Sequence, residues 1–474
     1  MPFIRRLIAA VLLIPVMPGL VSLLPAQAPQ PRPNIVFIVS DDQRPDTVHA
    51  LGNSLIRTPV LDRLVERGTT FPRAIAAYPI CHVSRAEILT GCSAFRAYRH
   101  YPTGPIDPDL ATLAGTFQNA GYTTCYTGKW HNDGHPKQRG YSLTSGLFSS
   151  GSGGQPLTHA EDSQGQTVTG YVGWTFKTDD GEIRLDRGIG LTPRTSEHIA
   201  DGAIEFIQRS QDRPFLLHVN FAAPHDPRIQ PPGDRHRYDP TALPLPGNFA
   251  PQHPFDHGNL HGRDEVLLQK PLEPDRLRRE LACYYAVISH MDEQIGRIIS
   301  VLEERNLIEN TLIVFTSDQG LALGSHGLTG KQNMYEHTIG VPLIMAGPHV
   351  PRGRKVDASC YLRDLFPTFC ELTGIAIPST VQGRSLHPLL RGDVERLYPF
   401  VTAYFTDTQR MIRDDRWKLI VYPTAGRQQL FDLRTDPLER HDLSASLDQQ
   451  ARIQTMKDEL SGWLRAAGSQ SRSN

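Results

Sequence analysis

The chain repeats one pattern along most of its length, a short apolar run rich in β-branched residues set beside a stretch of helical periodicity. Asn34-Ile35-Val36-Phe37-Ile38-Val39 is apolar without alternation, as a strand covered on both faces is. Residues 58–67 read as a short helix opened by Thr58-Pro59. A helix over 109–119 precedes a strand over 122–126, and a helix over 194–209 precedes a strand over 215–221. The strongest helical signal spans 276–305, where Leu277, Leu281, Tyr284, Ile288, Met291 and Ile295 recur at steps of three and four. It feeds another apolar strand over 311–316. This alternation predicts an α/β fold, a large mostly parallel sheet flanked by helices.

At 474 residues there is material for more than one domain. Two stretches, 145–180 and 227–274, lack periodicity and read as long irregular insertions forming the walls of a cleft. Near Gly383 the texture changes to short alternating strands over 401–405, 409–413, 417–422 and 429–433, followed by a helix over 448–466. The expected division is a main domain over 29–383 and a C-terminal subdomain over 384–474, a small antiparallel sheet with a packed helix. The first residues carry Arg5 and Arg6, an apolar run broken by Pro15 and Pro18, and the small-x-small site Ala26-Gln27-Ala28. Residues 1–28 therefore read as a signal peptide directing export to the periplasm or the medium, with an uncleaved anchor as the competing reading. Its removal takes the formal charge from −1 to −3, because Arg5 and Arg6 but no acid are lost. No block of like charge marks a nucleic-acid partner, and the six cysteines show no zinc-site spacing.

Asp41 and Asp42 directly follow the first strand, at the end where open α/β sheets place ligands. Alone, an Asp-Asp pair reads as a turn or cap. Asp318-Gln319-Gly320 repeats the arrangement after the strand over 311–316. Asp41, Asp42, Asp318 and the amide oxygen of Gln319 together make an all-oxygen pocket suited to calcium or magnesium. Lys129 and His131, in Gly128-Lys129-Trp130-His131, follow the strand over 122–126, and on their own read as surface residues.

The stretch Cys81-His82-Val83-Ser84-Arg85-Ala86-Glu87-Ile88-Leu89-Thr90-Gly91 resembles the modification signature of the type I sulfatases. Lys129 and His131, then His225 in Ala223-Pro224-His225-Asp226-Pro227, then Lys331 in Gly330-Lys331-Gln332, match further motifs of that family in its order. The resemblance implies an alkaline phosphatase-like fold and a Cys81 oxidised to formylglycine by a maturation enzyme. It also implies one divalent ion held by Asp41, Asp42, Asp318, Gln319 and the oxidised Cys81. Arg85, Lys129 and Lys331 would surround the sulfate, His225 would protonate the leaving alcohol, and His131 would deprotonate the second hydroxyl of the hydrated aldehyde to expel sulfate. Val83 stands where the family has proline or alanine, and Gln319 where it has asparagine or histidine. The polar, aromatic-bearing insertions favour a sulfated saccharide over a small aryl or choline ester. The rival functions are a phosphate or phosphonate ester hydrolase and, with Cys81 unmodified, a non-catalytic binding protein.

Overall fold

Nine strands form one sheet, in the order Arg354–Lys355, Gly68–Thr70, Leu343–Ala346, Thr311–Ser317, Asn34–Ser40, Phe215–Asn220, Thr123–Lys129, Leu143–Ser150 and Trp174–Lys177. The five strands from Thr311–Ser317 to Leu143–Ser150 are parallel, and antiparallel pairing enters beyond them on either side. The computed structural model describes residues 32–100, 104–211 and 213–467; the expected signal peptide over 1–28 lies outside the described residues.

The first strand shows why its residues are apolar without a break. Ile35, Phe37 and Val39 point to one face, into a cluster with Leu113, Phe117, Phe366 and Phe369. Val36 and Ile38 point to the other, among Ile199, Phe206, Ile295 and Leu302 from helices Thr195–Arg209 and Pro274–Glu304. Each such side chain contributes about 1.5–3 kcal/mol by leaving water, so both faces of this strand anchor the layers.

Three boundaries differ from the sequence reading. The helix expected over 109–119 starts at Leu113, because the Thr112 side chain accepts from Gly115 N and caps it. The strand expected over 122–126 runs Thr123–Lys129, so Lys129 ends the strand instead of following it. The insertion over 145–180 is not irregular throughout, since it carries most of Leu143–Ser150 and all of Trp174–Lys177. These are strands at one side of the sheet with glycine and polar residues, which hides a period of two.

The C-terminal sheet is antiparallel, with Val401–Phe405, Gln409–Arg413, Trp417–Tyr422 and Arg427–Asp432 paired in sequence order. Ile412, Leu419 and Leu430 pack on Ile453, Met456 and Leu460 of helix Gln450–Ala466. Ala403, Met411 and Phe431 face the other way, into a core shared with Tyr78, Val83 and Tyr335. The small sheet thus bears directly on the segments carrying Cys81 and Lys331. Gln409 Nε2 donates to Gln332 O at 2.8 Å, and the fully buried Lys418 Nζ reaches Glu336 Oε1 at 3.0 Å and Glu439 Oε1 at 2.6 Å. Among the described residues no helix is long and apolar enough to cross a membrane.

Candidate active site

Strands Asn34–Ser40 and Thr311–Ser317 lie side by side with Ser40 opposite Ser317, so the acids that follow them emerge together. Asp318 N donates to Ser40 O at 3.2 Å, and Asp42 N donates to Asp318 Oδ1 at 3.2 Å. Tyr284 of the long helix donates to Asp42 O at 2.6 Å and closes the turn. Asp42 has φ +68°, a left-handed conformation uncommon outside glycine and found at functional turns. All three carboxylates are buried, a placement that needs compensating charge.

Cys81 supplies the first residue of helix Cys81–Thr90, where the helix presents its positive end. Its thiol donates to Asp41 Oδ1 at 3.2 Å and lies 3.9 Å from Asp42 Oδ1. One turn further, Arg85 Nε donates to Asp318 Oδ2 at 2.9 Å and Nη1 to Asn220 Oδ1 at 2.7 Å, and Nη2 stands 3.8 Å from Asp41 Oδ1. Ser84 Oγ donates to Asp318 O at 2.6 Å.

Lys129 Nζ donates to Asp41 Oδ2. Its aim depends on Gly128, which has φ +83° and approaches the neighbouring strand so closely that a Cβ there would stand 1.9 Å from Asn220 O. The pairing with Leu143–Ser150 also shifts register between Tyr126 and Gly128, and such an irregularity re-aims the side chain that follows. Gly128→Ala is expected to strain this turn, lowering stability by about 1–3 kcal/mol and turnover with it; thermal denaturation and steady-state kinetics read the two effects.

Lys331 Nζ donates to Asp42 Oδ2 at 2.8 Å, to Asp42 Oδ1 at 3.0 Å and to Cys81 Sγ at 3.2 Å. His225 Nε2 stands 3.6 Å from Asp42 Oδ2, with Nδ1 turned to Asp226. The motif residues do not all follow strands directly. Cys81 opens a helix, and Lys331 sits in the loop between Thr311–Ser317 and Glu336–Ile339. His131 makes no hydrogen bond to this centre; it stands at the edge, 5.2 Å from the Trp174 ring, with Nδ1 buried and without a partner.

Three buried acids, Asp41, Asp42 and Asp318, thus face three buried cations, Arg85, Lys129 and Lys331. Burial pushes the Asp41 carboxyl up, but Lys129, His225, Arg85 and Lys331 outweigh it and hold the group well below the carboxylate range. Burial and the Asp41 charge push Asp318 up to about 7. Burial opposes the Lys331 charge, yet Asp42 holds its pKa well above the ordinary lysine value. Burial and Lys129 hold His131 well below 6.5, so its ring is neutral. Burial and Asp41 push the Cys81 thiol well above its ordinary value.

The donor set fits a hard cation. Asp41, Asp42, Cys81 and Asp318 each place a ligand atom within 4.8 Å of the others. Gln319 Nε2 donates to Asp42 Oδ1 at 2.6 Å and to Cys81 Sγ at 3.1 Å, while its Oε1 is buried without a partner. Turning the amide by 180° brings that acceptor to the acids, an orientation that requires a cation between them. Arg85 Nη2 is likewise buried without a hydrogen-bond acceptor, its nearest carboxylate oxygen 3.8 Å away, a donor suited to an anion.

The sequence reading did not name Tyr171, Asn220, Arg263 or Asp264. Tyr171 donates to Asp41 Oδ2, its ring lies 4.9 Å from that of His225, and Lys129 Nζ stands 5.1 Å from the ring centre. Asp264 Oδ2 is 3.9 Å from Lys331 Nζ and accepts from Gln332 Nε2 at 2.9 Å. Asn220 ends the strand beside Asn34–Ser40 and so had a positional signal. The others come from the aperiodic insertions, where no pattern singles them out. A cavity of about 900 Å³ opens at the opposite ends of the strands, beside Thr123 and Phe215, and contains none of these groups.

A mostly parallel sheet with buried acids at the ends of two adjacent strands, faced by a helix-opening cysteine, is the arrangement implied by the resemblance to the sulfatases of the alkaline phosphatase-like superfamily. The sulfatase family model matches residues 33–375, and the model for the N-sulphoglucosamine sulphohydrolase C-terminal region matches 324–465. The chain belongs to the sulfatase family, and it is an enzyme that hydrolyses sulfate esters. It is 31% identical over 458 residues to an arylsulfatase of Clostridium perfringens, covering 90% of this chain and 93% of that one. It is 26% identical over 486 residues to an N-acetylglucosamine-6-O-sulfatase of Bacteroides thetaiotaomicron, covering 87% and 82%. A solved structure of a protein in complex with its substrate D-glucosamine-2-N,6-O-disulfate superposes with TM-score 0.76 at 24% identity, covering 93% of this chain and 99% of that one.

Proposed function

We propose that this sulfatase acts on a sulfated saccharide, with formylglycine made from Cys81 as nucleophile and one calcium or magnesium ion held by Asp41, Asp42, Asp318 and Gln319. The observation that carries this reading is the setting of Cys81. Its thiol lies among three carboxylates, donating to Asp41 Oδ1 at 3.2 Å, and sulfur is a poor ligand for calcium or magnesium, whereas an oxygen at that position suits both the cation and the two lysines. The hydrated aldehyde supplies a hydroxyl nucleophile and a second hydroxyl whose proton lets sulfate be expelled. The cation supplies positive charge against the sulfate oxygens when bound.

The remaining work falls to side chains. Arg85, Lys129 and Lys331 neutralise sulfate charge where it moves in the transition state. The amide end of helix Cys81–Thr90 adds to this. His225, with Nδ1 engaged by Asp226, turns Nε2 toward the centre to protonate the departing oxygen. His131, neutral at its edge position, takes the proton that releases sulfate. A saccharide is favoured by the half-buried Trp174 beside His131, an aromatic face of the kind that lines sugar pockets, and by the amino-sugar substrates named for the two proteins above. We also propose export with cleavage near residue 28 and the division at 383; the N-terminal sequence of secreted protein tests the first.

The test compares 4-nitrophenyl sulfate with N-acetylglucosamine 6-sulfate. His225→Ala is expected to lower turnover of the sugar sulfate by about 10²–10⁴-fold and to spare the activated aryl ester, whose phenolate leaves unaided. His131→Ala is expected to slow both alike and to accumulate a sulfated residue 81, visible by mass. Equal losses on both esters for His225→Ala remove the general acid from the reading.

A further inference from the structure

His225 and Lys331 reach the centre from different segments, and one side chain touches the partners of both. Arg263 Nη1 donates to Asp226 Oδ1 at 3.1 Å, and Nη2 donates to Asp226 Oδ2. Asp226 Oδ1 is in turn 3.3 Å from His225 Nδ1. The same Nη1 donates to Asp264 Oδ1 at 2.7 Å, and the other oxygen of Asp264 is the one 3.9 Å from Lys331 Nζ. Nε and Nη2 also donate to Thr169 Oγ1, at 3.2 and 3.1 Å, joining the second insertion to the first.

We infer that Arg263 is a positioning residue that fixes the leaving-group side of the site, acting on His225 through Asp226. The inference rests on the reading of His225 as the acid that protonates the departing oxygen. His225 Nδ1 donates to the main-chain oxygen of Asp226, with Asp226 Oδ1 3.3 Å away, so the guanidinium fork that fixes the Asp226 carboxylate holds in place the residue that keeps the proton on Nδ1 and sets the ring plane. Without it, Asp226 and Asp264 face each other as two buried acids with one cation fewer. The repulsion opens the contact that aims Nε2.

Gly170 gives independent support. A Cβ at this residue would stand 2.6 Å from Arg263 Nη2 and 2.9 Å from Asp226 O, and its φ is not left-handed. Glycine is therefore required here by the packing of the Arg263–Asp226 pair and not by its own backbone. Gly170→Ala pushes the pair aside without removing a charge.

Arg263→Ala and Gly170→Ala are expected to lower kcat on N-acetylglucosamine 6-sulfate by about 10–100-fold, with little change in KM and a much smaller loss on 4-nitrophenyl sulfate. Arg263→Lys should recover part of the loss, and adding Arg263→Ala to His225→Ala should cost nothing further, because both remove one function. Equal losses on the two esters, or additivity with His225→Ala, overturn the inference. If Arg263→Ala fails to fold, as thermal denaturation would show, Gly170→Ala and Arg263→Lys decide it on the same two esters. Leaving-group selectivity in His225→Ala but in neither of these variants sinks this inference alone, whereas its absence in His225→Ala sinks the general-acid reading as well.

Discussion

Cys81→Ala is expected to lower turnover by on the order of 10⁴-fold or more, the scale seen when a covalent nucleophile is removed, while the fold persists. Alanine fits because Cys81 opens a helix, makes no disulfide and has most of its surface covered. In active protein made with a maturation enzyme, the peptide carrying residue 81 should be about 18 Da lighter than its cysteine form. Fully active protein that carries only the thiol would end the formylglycine reading. The folded structure adds a condition on timing. Val83 sits in the core, and the whole segment from Cys81 to Thr90 is helical and almost wholly buried. An enzyme that reads the segment as an extended peptide must therefore act before helix Cys81–Thr90 packs. Refolded protein from a host lacking that enzyme should then stay unmodified when the enzyme is added afterwards, and modification of the folded chain would contradict this.

The strands Asn34–Ser40 and Thr311–Ser317 and the long helix Pro274–Glu304 were legible because burial on two faces, or on one helical stripe, leaves a period in the sequence. The same logic made Asp41, Asp42 and Asp318 stand out, as acids placed directly after strands. The fold class and the C-terminal sheet with its helix are as expected. The large sheet is mixed beyond its parallel centre. Leu143–Ser150 and Trp174–Lys177 escaped notice because strands at the side of a sheet carry polar residues and glycines, such as Gly146 with φ +62°, that erase alternation.

What the sequence could not supply was how distant segments meet. Tyr171 on Asp41, and Arg263 across Asp226 and Asp264, join residues from both insertions to the strand ends. The contacts of Arg263 with Asp226 and of Tyr171 with Asp41, 37 and 130 positions apart, leave no periodic trace in one chain. The role of the C-terminal sheet was hidden for the same reason. Its strands were visible, but the buried Lys418 and Arg413 that tie it to Glu336, five residues beyond Lys331, looked like ordinary strand cations.

Asp318→Ala is expected to lose both the metal ion and turnover, the latter on the order of 10³-fold or more given the several kcal/mol a metal supplies to charge stabilisation. Asp318 accepts from Arg85 Nε and from Asp42 N, so its removal frees a buried guanidinium and loosens the turn that presents Asp42. In the metal-free protein, burial and Asp41 raise the Asp318 pKa from the ordinary 3.8 to about 7. A raised carboxyl pKa means that the folded state holds a proton which the unfolded state has already lost, so the metal-free protein should lose stability as pH rises from about 4 to 7. The cation must displace that proton, so its binding should weaken as pH falls below 7 and should release acid when measured in unbuffered solution. Calcium or magnesium added to chelated enzyme should restore activity and abolish the loss of stability between about pH 4 and 7. An Asp318→Ala protein that keeps a stoichiometric ion and full activity would remove Asp318 from the metal set and leave Asp41, Asp42 and Gln319 to hold the cation.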